Sequence, residues 1–113
     1  MDCLFCKIIQ GEIPAKITYR DDRVIAFEDI NPQAPHHVLI IPQKHIHTLN
    51  DLHTDDNELV GHMIHTSAML AKQFNITEGG YRIVMNCNAD AGQTVFHIHL
   101  HLLGGRKLQW PPG

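Results

Sequence analysis

The sequence predicts an α+β domain in which a mainly antiparallel five-stranded sheet is flanked by one short helix and one long helix. Three observations lead there. Apolar residues alternate or cluster over five short segments, the strand segments come in consecutive runs, and only one segment keeps a helical stripe for several turns. With 113 residues the chain has room for a single domain over 1–113, since two would leave cores too small to stand alone.

Leu4, Phe5, Ile8 and Ile9 recur at helical spacing and Gly11 stops the run, which predicts a short helix with one apolar face. Lys16 to Tyr19 reads as a strand, Asp21-Asp22 as a two-residue turn, and Arg23 to Asp29 as the second strand of a hairpin. In that second strand Val24, Ala26 and Glu28 alternate with Ile25, Phe27 and Asp29. The prolines of Asn31-Pro32-Gln33-Ala34-Pro35 mark a loop. Val38 to Ile41 is a continuous aliphatic run closed by Pro42, the pattern of a central strand covered on both faces. Asp55 followed by Glu58 gives a capping-box-like helix start, with acids favoured near the positive end of the helix dipole. From Leu59 through Met63, Ser67 and Leu70 to Phe74 one apolar stripe then persists for about five turns, and Asn75 with Gly79-Gly80 ends it. Tyr81 to Asn88 and Thr94 to Leu103 complete the strands, joined by Ala89 to Gln93. The tail, 104–113, is rich in Gly and Pro and carries the one Trp.

Composition narrows the function classes. A hydrophobic content of 43% is too high for a disordered chain. The formal charge of −3 argues against nucleic acid as a partner, which needs a surplus of Lys and Arg, but leaves room for a small phosphorylated ligand held by a few local donors. No apolar run approaches the roughly 20 residues of a membrane helix, so no membrane partner is expected. The start, Met1-Asp2-Cys3-Leu4-Phe5-Cys6, has neither the basic opening nor the long apolar core of a secretion signal, and three cysteines make an odd count. Both point to a reducing, cytoplasmic setting. Cys3 and Cys6 form a C-x-x-C pair with three readings: half of a zinc site, a redox dithiol, or two small buried hydrophobes. Cys87 lies in a strand pattern and reads as core.

Ten histidines against nine Lys plus Arg are the compositional anomaly. Histidine is suited to metal ligation, nucleophilic attack and proton transfer near neutral pH. In His97-Ile98-His99-Leu100-His101-Leu102-Leu103, strand alternation puts His97, His99 and His101 on one face and Ile98, Leu100 and Leu102 on the other. Same-face neighbours on a strand lie about 6.7 Å apart and the outer pair about 13 Å, so a His-x-His pair can converge on one zinc ion but all three imidazoles from one straight strand do not. The remaining use is nucleophilic or acid–base chemistry, in which a neutral imidazole nitrogen attacks phosphorus and water opens the intermediate. Gly92-Gln93-Thr94, just before the triad, can turn backbone N–H groups, an amide and a hydroxyl toward an anion.

The same residues, His97 to Leu103, match the pattern of the histidine-triad (HIT) family, which the chain resembles along nearly its whole length. The likeness includes Phe5-Cys6-Lys7-Ile8-Ile9, Phe27-Glu28-Asp29-Ile30, Pro32-Gln33-Ala34-Pro35-His36-His37, Ile41-Pro42, Gly92-Gln93-Thr94-Val95-Phe96 and the ending from Gly104-Gly105-Arg106 to Trp110-Pro111-Pro112-Gly113. The Trp-Pro-Pro-Gly ending resembles the Hint branch, the purine nucleoside phosphoramidases.

The resemblance implies a HIT-like fold, a two-fold homodimer whose sheets join, and a tail over 104–113 that reaches toward the partner's site. It implies hydrolysis of the P–N bond in purine nucleoside 5′-phosphoramidates, or of acyl-adenylates, through a nucleotidyl-histidine intermediate. His99 then matches the nucleophile, and His101 the histidine that contacts phosphate and assists proton movement. His97 matches the one that hydrogen-bonds an upstream histidine, here His37, and Thr94 stands where the family usually has Ser. Gly92, Gln93 and Asn86 match phosphate- and ribose-side contacts, and Asp29 the carboxylate for the ribose hydroxyls. Phe5, Ile8, Phe27, Ile30 and Leu39 match the apolar purine pocket, and Trp110 is expected to work across the dimer. No cofactor is implied for catalysis. Cys3 and Cys6 depart from several Hint proteins and resemble a structural zinc site of other bacterial members, completed here by His45 and His97. His36, His47, His53, His62 and His65 are expected to be solvated and without a role. Rival readings are a dinucleoside polyphosphate hydrolase, disfavoured by the Trp-Pro-Pro-Gly tail, and a zinc-bearing interaction module with a vestigial nucleotide site, disfavoured by the intact His99 and His101.

Overall fold

The computed structural model describes residues 2–113 and holds two helices of α type and five strands. They are α1 (Leu4–Ile9), β1 (Ile17–Arg20), β2 (Val24–Glu28), β3 (His36–Pro42), α2 (Asn57–Gln73), β4 (Tyr81–Val84) and β5 (Leu100–Gly104), with short 3₁₀ turns between some of them. All neighbouring strands pair antiparallel in the order β1-β2-β3-β5-β4, so β3 is central, as its unbroken apolar run predicts.

Alternation along β2, β3 and β5 splits the core in two. Val24, Ala26, Val38, Ile40, Leu100 and Leu102 face α2, where Met63, Leu70 and Ala71 close the larger core. Ile25, Phe27, Leu39 and Ile41 face the other way and are covered at one end by Cys3, Phe5 and Ile8 of the α1 segment. Because α1 is only six residues long, it shields part of that face and leaves the remainder of the sheet floor open. The cleft described below is that uncovered part.

Several local expectations change. The strand expected over Thr94 to Leu103 is regular only from Leu100 to Gly104; residues 94–99 run as an irregular approach to it. Burial nevertheless still alternates in direction, since Ile98 joins the α2-side core while His97 and His99 pack edge-on to Phe5. The strand expected over Tyr81 to Asn88 stops at Val84, and Cys87, expected in the core, is only half-buried beyond it. The capping box expected at Asp55 does not form. The 3₁₀ turn Thr54–Asp56 precedes α2, and the Asp56 carboxylate turns inward to accept from Lys44 Nζ at 2.6 Å and from the His53 N–H at 3.0 Å.

Asp21 does more than make a turn. Its Oδ1 accepts the N–H groups of Arg23 and Val24, both at 2.8 Å, and its Oδ2 accepts from Tyr19 Oη at 2.8 Å and from His62 Nε2 at 2.6 Å. Burial alone would raise its pKa, but these donors outweigh it and hold the carboxyl well below the usual range. His62, expected to be free in solvent, is therefore the tie between α2 and the β1–β2 turn. His36 is likewise engaged, stacked on Phe74 at 5.0 Å.

Candidate active site

Cross-strand pairing builds the floor of the cleft. Phe27 of β2 lies opposite Leu39 of β3, and Leu39 opposite His101 of β5, so the three side chains share one face. His37, two residues before Leu39, joins the same face. Phe5 and Ile8 form the wall on the α1 side. The cleft has a volume of about 660 Å³ and is mostly apolar, with Asp29, Thr94, His99 and His101 among its polar lining residues.

Hydrogen bonds to the main chain fix the protons on these imidazoles. A carbonyl can only accept, so the 2.8 Å contact from His99 Nδ1 to the His97 carbonyl places the proton on Nδ1. His99 Nε2 is then a bare lone pair. The Gln33 N–H donates to His37 Nδ1 at 3.0 Å, so the proton of neutral His37 sits on Nε2. From there it donates to His101 Nδ1 at 2.9 Å, and the His101 proton is left on Nε2. Asp29 Oδ2 lies 3.5 Å from His37 Nε2, while Asp29 Oδ1 accepts the Asn31 N–H at 2.8 Å. The result is a nucleophile-ready nitrogen on His99 beside a donor on His101. Burial, first of all, lowers the pKa of each: His101 to about 4, with His37 and His99 also displaced downward. All three are therefore neutral at pH 7.

Asp29, His37 and His101 also bring three donor atoms together in the manner of a metal site. The tautomer argues against that use. With Nδ1 of His37 accepting from the main chain, ligation through Nε2 would require an imidazolate. The group is better suited to hydrogen bonding.

Cys3, Cys6, His45 and His97 form the second cluster, with all four ligand atoms within 4.8 Å of one another. His97 Nε2 donates to the Pro42 carbonyl at 2.7 Å, which strips Nδ1 of its proton and aims a lone pair into the cluster. Sulfur and nitrogen atoms there lie 3.1–3.6 Å apart. A tetrahedron built on zinc bond lengths has edges of roughly 3.3–3.8 Å, so the donor set fits that ion. Burial and the adjacent Cys3 thiol push the Cys6 thiol up to about 11, so its deprotonation calls for a cation. The cluster is assembled by the Ile98 N–H, which donates to the Ile46 carbonyl at 2.8 Å and brings the His45 loop against the triad segment.

Of the residues expected at the site, Phe5, Ile8, Phe27 and Leu39 line the cleft, as do Asp29, Thr94, His99 and His101. Ile30 stands at its rim, fully exposed at 101%. The expected His97–His37 bond is absent: His37 pairs with His101, because β3 and β5 set Leu39 rather than a histidine opposite His101 and leave His37 diagonal to it. His97 instead turns both nitrogens toward Pro42 and the cysteine cluster. The Gln93 amide is not available to an anion. It is buried and fully used, accepting from the Asn88 N–H and donating to the carbonyls of His47 and Val95. Gly92, Asn86 and Trp110 do not line this cleft. Gly92 instead serves the turn, with φ of +86°. Sequence reasoning missed Val95, and also the Ile13-Pro14-Ala15 connection, which lines the cleft too. An apolar Ile-Pro pair just beyond a helix-stopping Gly was the available signal.

Comparison with known proteins agrees with this architecture. A family model described as the HIT domain matches residues 10–108. The purine nucleoside phosphoramidase of Escherichia coli K12 is 52% identical over 107 residues, spanning 95% of this chain and 90% of the relative. A HIT-like protein of Synechocystis is 49% identical over 112 residues, spanning 99% and 97%. Among solved structures, a HIT family hydrolase from Legionella pneumophila superposes with a TM-score of 0.98 at 55% identity, covering 99% of this chain and 100% of the other. A histidine triad protein from Clostridium difficile gives 0.93 at 45% identity, covering 96% and 95%.

The hydrogen-bond directions predict a titration. In an imidazole NMR experiment His101 stays neutral at pH 7 with its proton on Nε2, and takes up a second proton only near a pH of about 4. Unfolded histidine protonates near its ordinary value of 6.5, so the lowered folded value costs the fold stability progressively as pH drops below 6.5. A His101 ring that titrates above 6.5 would contradict the relay.

Proposed function

The chain belongs to the HIT family, and on that footing we propose that it is a purine nucleoside phosphoramidase formed by a single HIT domain over 1–113. The substrates are purine nucleoside 5′-phosphoramidates and, by the same chemistry, acyl-adenylates. One observation carries the reading: the His99 imidazole, which lines a mostly apolar cleft, is held by the His97 carbonyl so that Nε2 keeps its lone pair. Homology to HIT family hydrolases supports it.

In the mechanism the purine lies between Phe5, Ile8, Phe27 and Leu39, and Asp29 accepts from the ribose hydroxyls. His99 Nε2 attacks phosphorus and forms an N–P bond as the bond to the amine breaks, and the departing nitrogen takes a proton from solvent. Positive charge on the His99 ring is stabilised through Nδ1–H by the His97 carbonyl. The His101 Nε2–H, oriented by His37, donates to a phosphate oxygen. Water then attacks phosphorus, the N–P bond to His99 breaks, and nucleoside monophosphate leaves. Thr94 sets a hydroxyl beside the leaving group.

Zinc is the proposed ion for Cys3, Cys6, His45 and His97. When bound it supplies a structural cross-link between the α1 segment and the triad segment, with all four positions filled by protein. A homodimer is proposed as well. The edge strand β4 exposes Tyr81 and Ile83, α2 exposes Ile64 and Met69, and Trp110 stands 81% exposed in the tail. The Arg82 guanidinium, donating to the Gln109 carbonyl at 3.0 Å, holds that tail along the same edge. Among the described residues no helix is long and apolar enough to cross a membrane.

Three measurements test these proposals. Incubation with adenosine 5′-phosphoramidate is expected to release AMP, and His99→Ala to lower kcat by at least about a thousandfold with the circular dichroism spectrum unchanged; an alanine variant with a tenth of wild-type activity would remove His99 as nucleophile. Elemental analysis is expected to find about one zinc per chain, lost in the Cys3→Ser, Cys6→Ser double variant together with several degrees of Tm; metal-free protein whose Tm ignores both zinc and chelator would refute the site. Light scattering at micromolar concentration is expected to give about twice the chain mass of 12.8 kDa, and a monomer mass would end the dimer proposal.

A further inference from the structure

Gly104, at the end of β5, pairs with His36 at the start of β3, so the chain leaving β5 runs beside the loop that leads into β3. The two segments lock together there. Gly105, with φ of +95°, passes so close to the loop that a Cβ on it would stand 2.9 Å from Pro35 Cβ. Arg106 then lays its guanidinium on the same loop. Its Nε donates to the Gln33 carbonyl at 2.9 Å, and its Nη1 donates to the Lys107 carbonyl at 3.0 Å, which holds the group in place. The Gln33 side chain adds a second tie, with Nε2 donating to the Asn31 carbonyl at 3.0 Å. Arg106 does not line the cleft, and the mechanism above gives it no part.

We infer that Arg106 is a positioning residue for the His37–His101 pair: by holding Gln33 it keeps the His101 proton on Nε2. Its effect on turnover rests on the phosphoramidase reading above. The bonds run from Arg106 Nε to the Gln33 carbonyl, from the Gln33 N–H to His37 Nδ1, and from His37 Nε2 to His101 Nδ1. When Gln33 shifts, His37 Nδ1 loses its donor and that ring is free to carry its proton on Nδ1. His37 Nε2 then accepts, His101 donates from Nδ1, and His101 Nε2 is left bare. The donor for the phosphate oxygen is gone. Asp29 does not hold the proton on His37 Nε2 by itself, because its Oδ2 lies 3.5 Å away, at the limit of a useful hydrogen bond.

The test compares Arg106→Met with Arg106→Gln. Both remove the charge and keep a side chain of similar reach, but only glutamine has an N–H donor at the point along the chain where arginine has Nε. Nitrogen NMR of the imidazole rings reads which His101 nitrogen carries the proton. In Arg106→Met the Nδ1–H form of His101 is expected to appear. The kcat for AMP release from adenosine 5′-phosphoramidate should fall about tenfold, the worth of one hydrogen bond to a charged group, with KM within about twofold of wild type. Arg106→Gln should keep the Nε2–H form and most of kcat. A methionine variant with the wild-type tautomer, a loss that falls on KM alone, or a glutamine variant as impaired as the methionine one overturns the role of Arg106 and leaves the phosphoramidase reading intact. Wild-type protein that releases no AMP sinks that reading, while the tautomer comparison still decides whether Arg106 sets the His101 proton.

Discussion

The centre of this protein depends on one requirement: an imidazole taken out of water needs a fixed partner, and that partner decides which of its nitrogens carries the proton. An unpaired buried polar group costs about 1–3 kcal/mol. His37, His97 and His99 are all buried, and each is anchored by a main-chain group that leaves no choice of tautomer. The anchors are the Gln33 N–H, the Pro42 carbonyl and the His97 carbonyl. Everything chemical about the site follows from them: a bare nitrogen on His99, a donor on His101, and a lone pair on His97 aimed away from the cleft.

This explains why the triad segment is not a regular strand along its length. Regular pairing of 97–99 would commit the His97 carbonyl to a neighbouring strand. Released from the ladder, that carbonyl accepts from the following triad histidine, and the Ile98 N–H instead holds the His45 loop. One irregular stretch thus divides three alternating histidines between two tasks. His97 belongs to a cysteine cluster beneath α1, and His99 and His101 belong to the cleft.

The short α1 helix has a similar double use. Phe5 and Ile8 close the smaller core and wall the cleft, and Phe5 also packs its ring edge against His99 at 5.1 Å. Cys3 and Cys6, on the turn that begins the same helix, meet His97 from below. An ion held by those cysteines and His97 would therefore fix the wall of the cleft as well as the helix itself. On the other side of the sheet α2 closes the larger core over β3 and β5 and is tied to the β1–β2 turn through His62 and Asp21.

Periodicity in the sequence by itself determined both helices, the central position of β3 and the split of Ile98, Leu100 and Leu102 from the three histidines, because side-chain alternation is a local property of the backbone. Residue type and motif also placed His99, His101, Asp29 and the apolar floor of the cleft together. What no local pattern contains is the partner of each polar atom. That His37 pairs with His101 rather than His97, that the Gln93 amide is spent on the main chain, and that His62 belongs to Asp21 were decided by strand register and by contacts between residues dozens of positions apart. A hydrogen bond needs an angle and a distance to within a fraction of an ångström, and only the packed tertiary structure sets those.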